Sequence, residues 1–302
     1  MAIKLGSASI SKLYLGSNEI LKAYLGSNEV FSSGDTTTFI TTWRTTTSNE
    51  SITIPTNGGG YNYDLTTSDG QEYLSLTGSK TITFATAGDY DVSISGDFPR
   101  IYINNNATNK VKLIDIKQWG NIVWSSFRSA FYGCSNLTGS FTDAPNLTNV
   151  TTLERAFYQC SLFNQNIGSW DVSNVTNMNR TFFQAFAFNQ PIGNWDVSNV
   201  TNMNRTLFQN TNFNQSLNWD VSSATDMSVL LSGATLSTAN YDATLINLES
   251  KLQAIYPNGN GYTANISTSF GTSKYTGGGL AAAAHASLGS VFSWSIADGG
   301  IA

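Results

Sequence analysis

This chain reads as a mainly β protein with short helices. A leucine-rich-repeat-type solenoid would follow a small β-sandwich and an N-terminal β-hairpin segment. Repetition is the first reason. Trp170-Asp171-Val172-Ser173-Asn174-Val175-Thr176-Asn177-Met178 returns 25 residues later from Trp195 to Met203, and again, worn, from Trp219 to Met227. Phe163-Asn164-Gln165, Phe188-Asn189-Gln190 and Phe213-Asn214-Gln215 keep the same beat. Periods of about 20–29 residues belong to leucine-rich-repeat solenoids, whose coils are too small to bury their own apolar face and stack on neighbours. The second reason is a series of short alternating strands, with turns between them, ahead of the repeats.

Residues 1–31 carry a shorter repeat. Leu5-Gly6-Ser7, Leu15-Gly16-Ser17 and Leu25-Gly26-Ser27 lie ten apart, and alternating apolar runs broken by Gly-Ser-Asn read as β-hairpins. So small a sheet has little core of its own, which suits attachment to a larger body or an oligomer. Residues 32–97 read as a β-sandwich. Its strands are expected at Thr38–Trp43, Ser51–Ile54, Tyr61–Leu65, Tyr73–Leu76, Thr81–Phe84 and Tyr90–Ser95, with turns such as Asn57-Gly58 and Asp69-Gly70.

The solenoid spans 98–237, irregular at first and regular from about Asn146. Val172, Val175, Met178 and Phe182 fall at inward spacings. Val175 to Met178 is expected as a short strand of a parallel sheet, and Arg180 to Ala185 as a helical or 3₁₀ turn opposite. A C-terminal cap takes 238–302. Thr238 to Ile255 reads as a helix capped by Thr238, with Leu245, Leu248 and Leu252 inward. Gly279 to Val291 is a second helix and Phe292 to Ile296 a closing strand. Atypical terminal units that shield the last coil are expected of solenoids.

Composition narrows function. The net charge is −5, and only 12% of the 302 residues are charged, against about 25% in ordinary soluble domains. Thr, Ser, Asn and Gly make an uncharged polar surface suited to an extracellular or particle-exposed protein. An acidic balance without a Lys/Arg run argues against a nucleic-acid partner. Met1 to Ser7 has no apolar core of a secretory signal, and no run is long enough to span a membrane. Cys134 and Cys160 share one column of successive coils; inward free thiols and an inter-coil disulfide are both open.

No motif supports catalysis, a cofactor or a metal. His285, the only histidine, has no nucleophile near it in sequence. Gly58-Gly59-Gly60 and Gly277-Gly278-Gly279 lack the lysine and the strand–helix context of a phosphate loop. Asp171, Asp196 and Asp220 stack like charges, so each carboxylate is expected to accept bonds at its own turn; calcium along the column is the sharper alternative. Binding candidates are the tryptophan column, Trp170, Trp195 and Trp219, as core or as a sugar-stacking platform, and the arginine column, Arg155, Arg180 and Arg205, as a partner-facing edge.

The unit Phe-Asn-Gln…Trp-Asp-Val-Ser-Asn-Val-Thr-Asn-Met resembles the repeat of BspA-like leucine-rich-repeat surface proteins. Phe131-Tyr132-Gly133-Cys134, the entry segment Gly96 to Ile103 with Gln118-Trp119-Gly120, and the stretch from Phe270 to Gly299 resemble other parts of that family. Residues 39–95 are similar to PKD-like sandwiches, although the turn Thr67-Ser68-Asp69-Gly70 departs from the usual motif. The Leu-Gly-Ser repeats look like the N-termini of phage virion proteins such as tail fibres. These resemblances imply a non-enzymatic virion protein, exposed on the particle. Residues 1–31 would contact other virion proteins in a homo-oligomer, a trimer being favoured, and the solenoid would bind a host surface glycan or protein without membrane insertion. A bacterial cell-surface adhesin is the alternative; a glycan-degrading appendage would need a carboxylate pair in a cleft.

Overall fold

The computed structural model describes residues 36–302 and, before them, the backbone of four short strands. These are β1 (Leu13–Leu15), β2 (Asn18–Ile20), β3 (Lys22–Leu25) and β4 (Asn28–Ser32). They form two antiparallel pairs, Leu13 opposite Ile20 and Lys22 opposite Ser32, as the alternation predicts. Leu5-Gly6-Ser7 and the Gly-Ser pairs at 16–17 and 26–27 lie outside the described residues, as does most of the segment to which attachment was assigned.

The six expected sandwich strands form: β5 (Phe39–Thr45), β6 (Glu50–Ile54), β7 (Asn62–Thr67), β8 (Glu72–Leu76), β9 (Lys80–Phe84) and β10 (Gly88–Asp97). β6 pairs with β9; the larger antiparallel sheet takes in a later strand, β11 (Leu113–Gln118), and runs β11–β5–β10–β7–β8. Alternation decides the faces: Tyr63 and Leu65 of β7, and Ile82 and Phe84 of β9, are buried while their neighbours are exposed. β11 (Leu113–Gln118) comes from beyond residue 97 and adds to the sheet edge through β5. Phe39 of β5 meets Trp119 and Trp124 at 5.5 and 5.0 Å, so one apolar core runs from sandwich into repeats. Gly120 permits this approach. It has φ +63°, and a Cβ there would meet the carbonyl oxygen of Thr37 at 2.4 Å.

The repeats stack in register. Parallel bridges join Thr152 to Asn177, Asn177 to Asn202 and Asn202 to Asp226. Around them every second N–H reaches the next repeat: Met178 to Asn202 O at 2.8 Å, Arg180 to Asn204 O at 2.9 Å, Phe182 to Thr206 O at 2.8 Å and Gln184 to Phe208 O at 2.9 Å. The N–H groups between them close local turns, Thr181 to Met178 O and Ala185 to Phe182 O. Two expectations are therefore corrected. Val175–Met178 is no strand, only a single bridge per repeat. Arg180–Ala185 keeps the i→i−3 turns of the 3₁₀ alternative, Phe183 N–H to Arg180 O and Ala185 N–H to Phe182 O, but is no continuous helix, because Arg180 and Gln184 have φ of +56° and +55°, which breaks a right-handed run. Inward Val172, Val175, Met178 and Phe182 are buried as expected, and the phenylalanine column Phe163–Phe188–Phe213 stacks at 6.2 and 6.3 Å.

Helix α1 (Thr238–Ile255) closes the stack with Tyr241, Leu245, Leu248 and Leu252 buried. Its cap is Ser237, one residue before the expected Thr238: the Ser237 hydroxyl accepts from Asn240 N–H. Helix α2 (Gly279–Ser290) follows, and β12 (Ser267–Ser269) pairs in parallel with β13 (Ser295–Ala297). The fold is mainly β, with two helices. No helix of the described residues is long and apolar enough to cross a membrane.

Candidate binding surface

Each motif residue has a distinct place. Asn164, Asn189 and Asn214 form a ladder: their Oδ1 atoms accept the backbone N–H of Asn189, Asn214 and Ser237 at 2.9, 2.8 and 2.7 Å. The glutamine after each asparagine reaches back, Gln190 to Asn164 and Gln215 to Asn189. In α1, Asn240 takes that place against Asn214 at 3.0 Å, so the helix's first turn stands where a further repeat would. The Phe-Asn-Gln motif thus stitches one repeat to the next.

The tryptophans are also internal. Trp170, Trp195 and Trp219 are 3, 3 and 0% exposed. The indole N–H of Trp195 donates to Ile167 O at 3.0 Å and that of Trp219 to Ile192 O at 2.8 Å; that of Trp170 is buried without a partner. Trp170 and Trp195 pack, tilted, on the core rings of Phe157 and Phe182, and the burial of all three corrects the sugar-platform reading: a ligand has no ring face to reach. The aspartates serve their own turns. Asp171 and Asp196 each accept the hydroxyl at 2.6 Å and the N–H at 3.1 Å of the serine two residues on, Ser173 and Ser198. Those serine hydroxyls hold both carboxyls below the usual carboxylate range. Cys134 and Cys160 are buried free thiols, and burial pushes both thiol pKa values up.

The arginine column is at the surface. Arg155, Arg180 and Arg205 line one groove with Tyr132, Tyr158 and Phe183, of about 500 Å3. A left-handed backbone positions each: φ is +55°, +56° and +55°, with Ser129 and Val229 at the same place in the flanking repeats. Four residues on lies a second left-handed column, Gly133, Gln159, Gln184, Gln209 and Gly233. Its glutamines form their own ladder, Gln159 to Gln184 at 2.9 Å and Gln184 to Gln209 at 2.7 Å. A left-handed backbone costs an L residue roughly 1–2 kcal/mol relative to its right-handed form. Strands stack about 4.8 Å apart, and unit charges at that spacing repel by about 1 kcal/mol even in bulk water. Only Arg155 has a carboxylate, Glu154 at 3.4 Å, which also holds Arg128 at 3.2 Å. Among the described residues Arg180 and Arg205 form no ion pair; they touch Asn179 and Asn204 at 3.4 and 3.1 Å.

Beside the arginines runs an aromatic column that the sequence reading did not single out: Tyr132, Tyr158, Phe183 and Phe208. Successive rings lie 4.5, 4.5 and 4.8 Å apart. The repeat period, 26 residues and then 25 twice, carried the signal. Tyr158 and Phe183 are stacked at 2° and Phe183 and Phe208 at 22°, so both faces of Phe183 are covered, while Tyr132 meets Tyr158 edge to face at 62°. Burial raises the Tyr158 phenol above its ordinary pKa despite the three arginines around it, and it stays a hydroxyl donor.

Two other clusters hold ionisable groups. A cleft at the sandwich–repeat junction contains Asp89, Asp91 and Asp115. Arg44 binds Asp89 and Lys117 binds Asp91, both at 2.7 Å, and Ser140 donates to Asp115 at 2.6 Å, so each carboxylate is already engaged. In the cap, His285 lies 3.1 Å from Asp298, which also accepts the Tyr241 hydroxyl at 2.5 Å, and Tyr275 stacks on the imidazole. That cluster ties α1, α2 and the C-terminal strand together. Its acid partner, Asp298, is thirteen residues from His285 and is brought close only by the fold.

Residues 125–244 match the model of a family described as a Mycoplasma protein of unknown function, DUF285, a domain found in BspA-like surface proteins. The match takes in the regular repeats and the start of α1, less than half of the chain. No curated protein and no solved structure matches the sequence.

Proposed function

We propose that this chain is a non-enzymatic structural and adhesion protein. Its repeats form a leucine-rich-repeat-type solenoid whose outer face binds a host surface glycan or protein. One observation carries the reading: the stacking register lines up like side chains from repeat to repeat. Arg155, Arg180 and Arg205 thereby share a groove with Tyr132, Tyr158 and Phe183. A surface that repeats itself along its length suits an extended or repetitive target. The Leu-Gly-Ser repeats of residues 1–31 support a place on a phage particle, as a tail fibre or other appendage, held by other virion proteins in a homo-oligomer such as a trimer.

The second reading, a bacterial cell-surface adhesin, is favoured by the family match, since that domain occurs in BspA-like surface proteins. Two measurements separate the readings. Antibody against the protein should label purified particles, and a chain lacking residues 1–31 should fail to join them. Labelled full-length protein should bind intact host cells. A strictly monomeric chain on no particle, recovered instead from a bacterial envelope, would replace the first reading with the second. Binding to neither particle nor cell would remove both.

A further inference from the structure

The arginine column carries two structural costs and returns no visible structural benefit. Its backbone is left-handed at all three arginines, where glycine is at ease, as Gly133 and Gly233 are in the neighbouring column. Three like charges stack in successive repeats, and among the described residues only Arg155 forms an ion pair, while Asp226 acts on Arg205 from further off. Among the described residues none of the three sits over an aromatic face; the two cation–π contacts belong to Lys80 and Arg100. The guanidiniums of Arg180 and Arg205 each spend a single contact on a neighbouring asparagine, which leaves most of their five donors free. What remains is a row of three cations at the stacking period, with Glu154 against Arg155 and Asp226 near Arg205 as the carboxylates beside it.

The aromatic column fits the same ligand chemistry. Phe183 is stacked on both faces, by Tyr158 and Phe208, and Tyr132 meets Tyr158 edge to face at 62°, so Phe183 offers the groove its edge. The edge is the positive part of an aromatic quadrupole, and it favours an anion. Covered faces also decide against a nucleic acid: single-strand binding sites rely on free aromatic faces for base stacking, and Phe183 has none to offer. The overall charge of −5 works against general attraction for a polyanion, so binding depends on local clusters of cations such as this one.

We propose that the groove of Arg155, Arg180 and Arg205 binds a linear anionic surface polymer, with successive carboxylates or phosphodiesters of one strand seated along the repeat axis. This rests on the adhesion reading and names its ligand class. A planar guanidinium binds carboxylate and phosphate alike through paired N–H donors, so both sources of the charge satisfy the site.

The test uses the full chain with four probes: polygalacturonate, poly(glycerol phosphate), neutral dextran and oligothymidylate, titrated at low and high salt. Binding is expected to at least one of the first two, weakening as salt rises. The triple variant Arg155→Gln/Arg180→Gln/Arg205→Gln should lose about tenfold or more in affinity, with an unchanged melting temperature. Gln159, Gln184 and Gln209 show that glutamine tolerates the same backbone. Arg180→Lys/Arg205→Lys, which keeps the charge, should recover part of the loss; no recovery in a folded variant overturns the charge argument. Failure of both anionic polymers, equal binding of oligothymidylate or dextran, or an unaffected triple variant each overturns the proposal. Host-cell binding separates the two claims. Cells bound equally by wild type and triple variant leave adhesion standing and remove the polyanion; a wild type that binds neither cells nor polymers removes both.

Discussion

Asn189→Ala isolates what the Phe-Asn-Gln motif does. The Asn189 Oδ1 accepts the Asn214 N–H at 2.8 Å and the Gln215 amide at 3.0 Å. Alanine removes that acceptor. The Gln215 amide keeps the Asn189 carbonyl at 3.2 Å, so its loss is a net hydrogen bond of about 0.5–1 kcal/mol. The partly buried Asn214 N–H has no other partner, and an orphaned donor costs about 1–3 kcal/mol. The expected destabilisation is therefore about 1.5–4 kcal/mol. Asn199→Ala is the matched control. It removes one exposed bond, Asn199 Nδ2 to Ser173 O at 2.8 Å, and leaves a carbonyl that water can reach, for about 0.5 kcal/mol. Asn189→Asp keeps the acceptor and should stay close to wild type at neutral pH. Urea unfolding followed by circular dichroism reads all three, with the slope against denaturant held constant. If Asn189→Ala costs no more than Asn199→Ala, or Asn189→Asp falls as far as Asn189→Ala, the ladder does not join the repeats in the way described.

Trp195→Phe removes a buried N–H that pairs with Ile167 O, whereas Trp170→Phe removes one without a partner. Urea midpoints should place Trp195→Phe below Trp170→Phe by about 1 kcal/mol, and neither change should weaken polymer binding if the rings are core. Acid should act on the sandwich through Glu50. Its carboxylate is held down to about 2, by Lys112 first and then the Thr46 N–H. A depressed folded value contributes stability in full above the ordinary carboxylate pKa near 4.5, and that contribution is lost as pH falls toward about 2. The melting-temperature gap between wild type and Glu50→Gln should be open at neutral pH and close across that window; a gap that stays constant would remove Glu50 as the cause.

What the sequence made legible follows from how each feature is encoded. Strands of the sandwich announce themselves by alternation, because one face is wet, and all six formed. The repeats announce themselves because each position meets the same neighbours in every coil, so Val172, Val197 and Val221 are all buried by one rule. Local geometry inside a repeat is less legible. Arg180 and Gln184 are ordinary helix formers, yet both are left-handed, since N–H groups that would have closed a helix are drawn to the next repeat. The candidate site shows the same division. Both columns were visible by period, but period alone does not say which faces outward. Tryptophan, the larger and more apolar, went inside and found carbonyls for two of its three N–H groups; arginine, which cannot shed its charge, stayed at the groove. The aromatic column escaped notice because its identity changes from tyrosine to phenylalanine along the axis, though its spacing does not. In a stacked-repeat protein the informative unit is therefore the column. Arg155, Arg180 and Arg205 hold a left-handed backbone that Ser129 and Val229 share in the flanking repeats, so the fold sets the conformation of that column, and the charge in it is what the proposed polyanion site rests on.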